Sequence, residues 1–99
     1  MRRPVRVLRR AQDDLLEIHR YIGRDRPTAA DRMLDSLIDS IGSLARFPGR
    51  GLVPRDDRLR SLKFRVLSEG DYLVFYKVLT QQVRIYRVIH GKRRCEHLL

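Results

Sequence analysis

Tyr72-Leu73-Val74-Phe75-Tyr76-Lys77-Val78 and, after a short break, Val83-Arg84-Ile85-Tyr86-Arg87-Val88-Ile89-His90 form the stretch on which the fold turns. The first run is apolar at nearly every position, as a central strand covered on both sides must be. The second is long, rich in β-branched residues and broken by Gly91. Leu79-Thr80-Gln81-Gln82 between them turns the chain. Upstream, Leu62-Lys63-Phe64-Arg65-Val66 alternates with period two, placing Leu62, Phe64 and Val66 on one face and Lys63 and Arg65 on the other. Ser68-Glu69-Gly70-Asp71 connects it to the central run as a hairpin turn. Three strands therefore close the chain, followed by a short tail from Cys95 to Leu99.

Earlier in the chain the period changes. Ala11, Leu15, Ile18 and Ile22 make one apolar stripe of an amphipathic helix, with Tyr21 beside it and Gly23 at its end. Arg9 and Arg10 stand at its start, where cations oppose the helix dipole, and Asp13 and Asp14 in the first turn offset them. After Arg24-Asp25-Arg26-Pro27, Thr28 reads as the N-cap of a second helix, with Asp31 three residues on as an approximate capping box. Ala30, Met33, Leu37, Ile41 and Leu44 continue the stripe until Phe47-Pro48-Gly49-Arg50-Gly51 stops it. From there to about Asp57 the chain reads as a basic Pro/Gly-rich loop. Val5-Arg6-Val7-Leu8 reads as a first strand. The order β-α-α-β-β-β predicts an α+β fold. An N-terminal helical hairpin packs on one face of a mainly antiparallel four-stranded sheet, as a single domain over residues 1–99.

Ninety-nine residues allow one modest core. No apolar run approaches the roughly 20 residues of a membrane helix, and no secretory signal follows the basic N-terminus. A lone cysteine, Cys95, forms no internal disulfide, and a cytoplasmic location is expected. The net charge of +10 is unevenly placed. Residues 1–10 hold five Arg and no acid, residues 11–45 are net acidic, and residues 46–99 hold thirteen basic residues against five acids. Such a field calls for an anionic partner.

The motifs for common chemistry are missing. His19, His90 and His97 are far apart and no Cys/His pair has metal-ligand spacing, so no metal or cofactor is expected. Gly49-Arg50-Gly51 lacks the Lys-Ser/Thr of a phosphate loop. Nothing marks a Ser-His-Asp site, and His19 reads as a surface histidine. The Lys and Arg residues of the strands are the remaining candidates. Lys63, Arg65, Arg87 and His90 would suit phosphate binding and proton transfer on RNA, or would simply be the polar face of a sheet.

An ordered set of segments resembles the ParE toxins of the RelE/ParE toxin–antitoxin superfamily. These are Ala11-x-Asp13-Asp14-Leu15-x-Glu17-Ile18-x-x-Tyr21-Ile22, Ala29-Ala30, Leu44-x-x-Phe47-Pro48-x-x-Gly51, Phe64-Arg65-Val66, Tyr72-x-Val74-Phe75-Tyr76-x-Val78 and Ile85-x-Arg87-Val88-Ile89-His90-Gly91-Lys92-Arg93. The resemblance implies the same hairpin-on-sheet fold and a cognate antitoxin that is acidic toward its C-terminus. ParE-type members inhibit DNA gyrase, whereas RelE-type members cleave mRNA on the ribosome. The nuclease branch carries a Tyr or His-Tyr pair near the C-terminus. Here the last tyrosine is Tyr86 and His90 is followed by Gly91, so the ending is similar to the ParE branch.

The resemblance therefore implies a gyrase inhibitor with no cofactor and no small-molecule substrate. Arg87, His90, Lys92, Arg93 and Arg94 are the expected target contacts. Arg6, Leu15, Ile18, Ile22, Leu37 and Ile41 are the expected antitoxin contacts, the last five as part of an apolar groove that a two-helix hairpin leaves beside a four-stranded sheet. The alternatives are a ribosome-dependent endoribonuclease using Lys63, Arg65, Arg87 and His90, and a nucleic-acid-binding module. Two departures stand out: Arg9 where relatives often carry a capping Ser, and Arg94 where an Asp often follows the basic pair.

Overall fold

The computed structural model describes residues 3–92. Strand β1 (Val5–Val7) leads into helices α1 (Arg9–Gly23) and α2 (Pro27–Ser43), a single 3-10 turn at Pro48–Arg50, and a short helix α3 (Asp57–Ser61). Strands β2 (Arg65–Glu69), β3 (Tyr72–Val78) and β4 (Val83–His90) follow. The sheet order is β1-β4-β3-β2, with β1 parallel to β4 and the other pairs antiparallel. The expected order of helices and strands stands, with α3 added to it.

The hairpin buries one face of the sheet. Ala11, Leu37, Ile41 and Leu44 from the helices meet Leu67, Tyr72, Val74, Tyr76, Val83, Ile85 and Val88 from the strands. A smaller cluster of Leu59, Phe64, Phe75 and Ile89 fills part of the opposite face under α3. Both faces of β3 are thus covered, which is why its sequence is apolar almost throughout.

Several local expectations are corrected. The run from Leu62 does not begin as strand. Asp56 caps α3 by accepting from the Leu59 amide at 2.9 Å, and the chain leaves that helix through Lys63 at φ 69° before β2 starts at Arg65. Leu62 is consequently exposed instead of facing inward with Phe64. The loop read over residues 51–57 therefore ends in a helix, because a five-residue helix offers too few turns for apolar periodicity to register.

Thr28 is not the α2 cap. Arg26 takes that place, with Pro27 at the first helical position, where its missing N–H costs nothing. Asp31 instead meets His19 of α1 at 2.8 Å and ties the hairpin together. Leu8, not Arg9, is the N-cap of α1, without a side-chain cap bond. The first turn of α1 holds no acid: Asp13 and Asp14 lie one turn further in, Asp13 against Arg9 at 3.4 Å and Asp14 turned toward β4.

Strand β1 ends at Val7, level with Ile85, and the Leu8 amide donates to the Ile85 carbonyl at 3.0 Å before α1 begins. Past Ile85 the β1-side edge of β4 has no strand neighbour among the described residues. The register also slips there: Tyr76 pairs with Ile85 and Phe75 with Arg87, leaving Tyr86 as a bulge.

Candidate partner-binding site

A groove of about 840 Å³ opens between the turn end of the hairpin and the ends of β3 and β4. Its floor is apolar, with Ile18 and Ile22 of α1, Met33 of α2, and Tyr72 and Val88 of the sheet. The groove lies beyond the end of short β1, which stops at Val7 while β4 runs on to His90. Arg20, Arg24 and Arg26 stand on its rim, with Glu17 and Asp71. Tyr21, 71% exposed, stands at its lip. An apolar floor with Arg and Tyr at the margin is the composition of a protein-binding surface.

One wall is fixed by a buried ion pair. The Asp14 carboxylate accepts from Arg87 Nε at 2.8 Å, from Arg87 Nη2 at 2.9 Å and from the Val88 amide at 2.9 Å. The carboxylate therefore supplies the acceptor that a neighbouring strand would have offered to the β4 edge. The bond to Asp14 raises the Arg87 pKa above its ordinary value, with burial opposing. At the other end Tyr72 lies edge-on to the His90 ring, with centroids 5.3 Å apart. Burial, followed by the nearby Tyr21 and Asp71, pushes the Tyr72 phenol up from 10.0.

The expected antitoxin contacts fall in three places. Ile18 and Ile22 line the groove, and Leu15 packs half-buried against the main core. Leu37 and Ile41 are buried between hairpin and sheet and offer no surface, which corrects their assignment. They share the stripe because a helix buries only its innermost rows, and α2 turns those rows inward. Arg6 lies on the opposite face of the sheet, since its neighbours Val5 and Val7 pack toward the hairpin.

The four nuclease candidates are not all brought together: Arg87 and His90 share the groove wall, whereas Lys63 and Arg65 lie elsewhere. Lys63 is an exposed residue on left-handed backbone between α3 and β2. The Arg65 guanidinium folds onto the loop after α2 and donates to the Gly51 carbonyl at 2.7 Å and the Gly49 carbonyl at 3.0 Å. Arg87 is held by Asp14. His90 lies at the far end of β4, where its Nδ1 accepts from the Lys92 amide at 3.2 Å. Arg65 pairs with Tyr76 and His90 with Tyr72, four residues apart on β3, or about 13 Å along the strand. Of the expected target contacts, Arg87 is buried, His90 is half-buried and Lys92 is exposed. Arg93 and Arg94 lie outside the described residues.

Asp14, Met33 and Tyr72 were not read from the sequence as parts of this site. Asp14 carried a signal: it lies three residues after Ala11 and four before Ile18, a carboxylate on the inward stripe of α1.

Comparison with known proteins fits this geometry. The family model described as the ParE toxin of the type II toxin–antitoxin system parDE matches residues 5–95. Y4kP of Sinorhizobium fredii, which is named as a toxin, is 31% identical over 98 residues, covering 99% of this chain and 98% of its own. Toxin RelE2 of Caulobacter vibrioides is 38% identical over 85 residues, covering 85% of this chain and 90% of its own. The chromosomal ParDE system of P. aeruginosa has the same fold, with a TM-score of 0.76 at 16% identity over 91% of this chain and 97% of that one. The chain belongs to the ParE toxin family of type II toxin–antitoxin systems.

Proposed function

We propose that this toxin acts by inhibiting DNA gyrase and is neutralised by an acidic antitoxin segment seated in the groove beside the hairpin. The observation that carries the choice of target is the state of the nuclease candidates. Arg65 Nη2 donates to two loop carbonyls, turning the guanidinium toward the loop after α2, and Arg87 gives two donors to a buried carboxylate. General acid–base cleavage of RNA needs such groups convergent on one phosphate within hydrogen-bond reach. Lys63 and His90, which retain exposed surface, belong to different ends of the sheet. A gyrase inhibitor has no such requirement, because it acts by binding.

In this reading the target contacts are Lys92, Arg93 and Arg94, together with His90 and the Asp14-held Arg87. Purified toxin is expected to inhibit supercoiling by gyrase in a concentration-dependent way. Replacing Lys92, Arg93 and Arg94 together by Gln is expected to weaken that inhibition at least tenfold. Full supercoiling at several-fold molar excess of toxin, combined with cleaved mRNA in a translating extract, would transfer the assignment to the ribonuclease branch.

The groove suits the antitoxin because it combines an apolar floor with arginines at its margin. Helix-in-groove recognition needs both: apolar anchors for affinity, and charge complementarity for orientation and rate.

A further inference from the structure

We propose that the outer face of the sheet, away from the hairpin, carries a second site: a sequence-independent contact for the phosphate backbone of duplex DNA, made by Arg6, Arg84 and Lys77. The register fixes their positions. Arg6 of β1 pairs with Arg84 of β4, and Arg84 pairs with Lys77 of β3. Their sequence neighbours Val5, Val7, Val83, Ile85, Tyr76 and Val78 all pack toward the hairpin, so the three cations share the opposite face. Three adjacent strands thus present one positive charge each, in a straight row.

Like charges in directly opposed sheet positions repel, and the fold does nothing to neutralise them. Among the described residues none of the three meets a carboxylate. The Gln82 side-chain oxygen, with its amide oriented to suit its neighbours, accepts from Arg84 Nε and Nη2 at 3.0 Å, which orients the guanidinium and leaves its charge intact. The Lys77 ammonium sits 4.5 Å from the Phe64 ring centroid and 5.1 Å from that of Tyr86. Arg10 adds a further cation at the adjoining cleft.

The dimensions select the ligand. Strands about 4.8 Å apart place the outer backbone positions of the row about 10 Å apart. One strand of B-DNA carries a charge about every 3.4 Å of helix axis, so neighbouring phosphates of the winding backbone fall within reach of flexible Arg and Lys side chains on such a row. Proteins that hold single strands pair a basic track with open aromatic faces for bases to stack on. Here Phe64 is buried and Lys77 lies over both rings, so the rings steady a cation and leave no stacking platform. An acidic peptide would need apolar anchors. The adjoining cleft offers Leu8, Leu62, Phe64 and Tyr86 to one side of the row, but the row itself has no residue between its in-register charges. Titration with poly-glutamate separates that occupant from DNA. The site is independent of the gyrase reading, because it requires no protein partner.

Fluorescence anisotropy of the full chain with two labelled 20-base-pair duplexes of unrelated sequence tests it, with the titrations repeated from 50 to 200 mM salt. Equal affinity for the two duplexes is expected. In Arg6→Gln/Arg84→Gln/Lys77→Gln the slope of log K against log salt should become shallower by about 2.7, because three phosphate contacts are lost. The single variant Arg84→Gln should lose about 0.9 and serves if the triple variant does not fold. The variant Arg20→Gln/Arg24→Gln/Arg26→Gln removes the same charge from the groove rim and should leave most of the slope in place. Four results would each overturn the proposal: an unchanged slope in the triple variant, an equal loss in the rim variant, tighter binding to a single strand, or equal binding to poly-glutamate.

Discussion

Asp14 and Arg87 stand 73 residues apart in sequence and form a charge pair whose side chains keep only 8% and 9% of their exposure. Two charges so far from water are tolerable only because every acceptor position of the carboxylate that faces β4 is used. Asp14→Ala removes the acceptor for two Arg87 donors and for the Val88 amide, and should cost about 3–5 kcal/mol. Chemical denaturation measures this, and a loss below about 1 kcal/mol would mean the pair is not holding α1 to the sheet. Tyr72 gives the pH-dependent counterpart. Its phenol is neutral when protonated and its pKa is raised on folding, chiefly by burial. The stability this contributes is full below the unfolded value of 10.0 and is lost as pH rises through the higher folded value. Tyr72→Phe should therefore flatten the alkaline limb of the stability curve above about pH 10, as read by chemical denaturation across that range.

At the scale of elements, the loop after α2 is held by the Tyr76 hydroxyl together with the Arg65 guanidinium. Tyr76 of β3 donates from its Oη to the Pro48 carbonyl and accepts from the Gly51 amide, each at 2.8 Å. The next residue, Leu52, then bridges to Val66 and shields part of the outer edge of β2. Gly51 is required by this approach. A Cβ there would stand 2.6 Å from Tyr76 Oη and 2.7 Å from the Val66 carbonyl. Gly51→Ala should lower stability by about 1–3 kcal/mol, and Tyr76→Phe in the same chain should relieve it only in part, because the backbone clash remains. Thermal unfolding of the single and double variants distinguishes these outcomes. The β2–β3 turn is simpler: Glu69 pairs with Tyr72 across Gly70 and Asp71, and Gly70 adopts φ +58° as a two-residue hairpin requires. That turn was legible from Gly70 alone. Helix α3 was not, because its five residues form too short a run for apolar periodicity to register.

For the molecule as a whole, charge and apolar surface are sorted onto different faces. The groove beside the hairpin offers an apolar floor with arginines at its rim, and the outer sheet face offers cations in register. If the groove takes the antitoxin, Tyr21→Ala should weaken the complex by about 2 kcal/mol, near thirtyfold, with little change in thermal stability, because this side chain is 71% exposed. The association rate should fall as salt rises, and calorimetry with stopped-flow mixing separates the two effects. Sequence alone determined α1, α2 and the four strands apart from the start of β2, their order and the hairpin-on-sheet architecture. Those follow from local periodicity, and the family resemblance rests on residues quoted in order. It also placed Ile18 and Ile22 on an inward stripe beside an expected groove, but did not separate them from Leu37 and Ile41 on the partner helix, which are sealed. Only the tertiary structure decided that. β1 stops at Val7 while β4 continues to His90, and the edge left over is closed by the Asp14 carboxylate from a different element. Periodicity reports which face of an element is apolar, whereas strand register and strand length decide what that face meets.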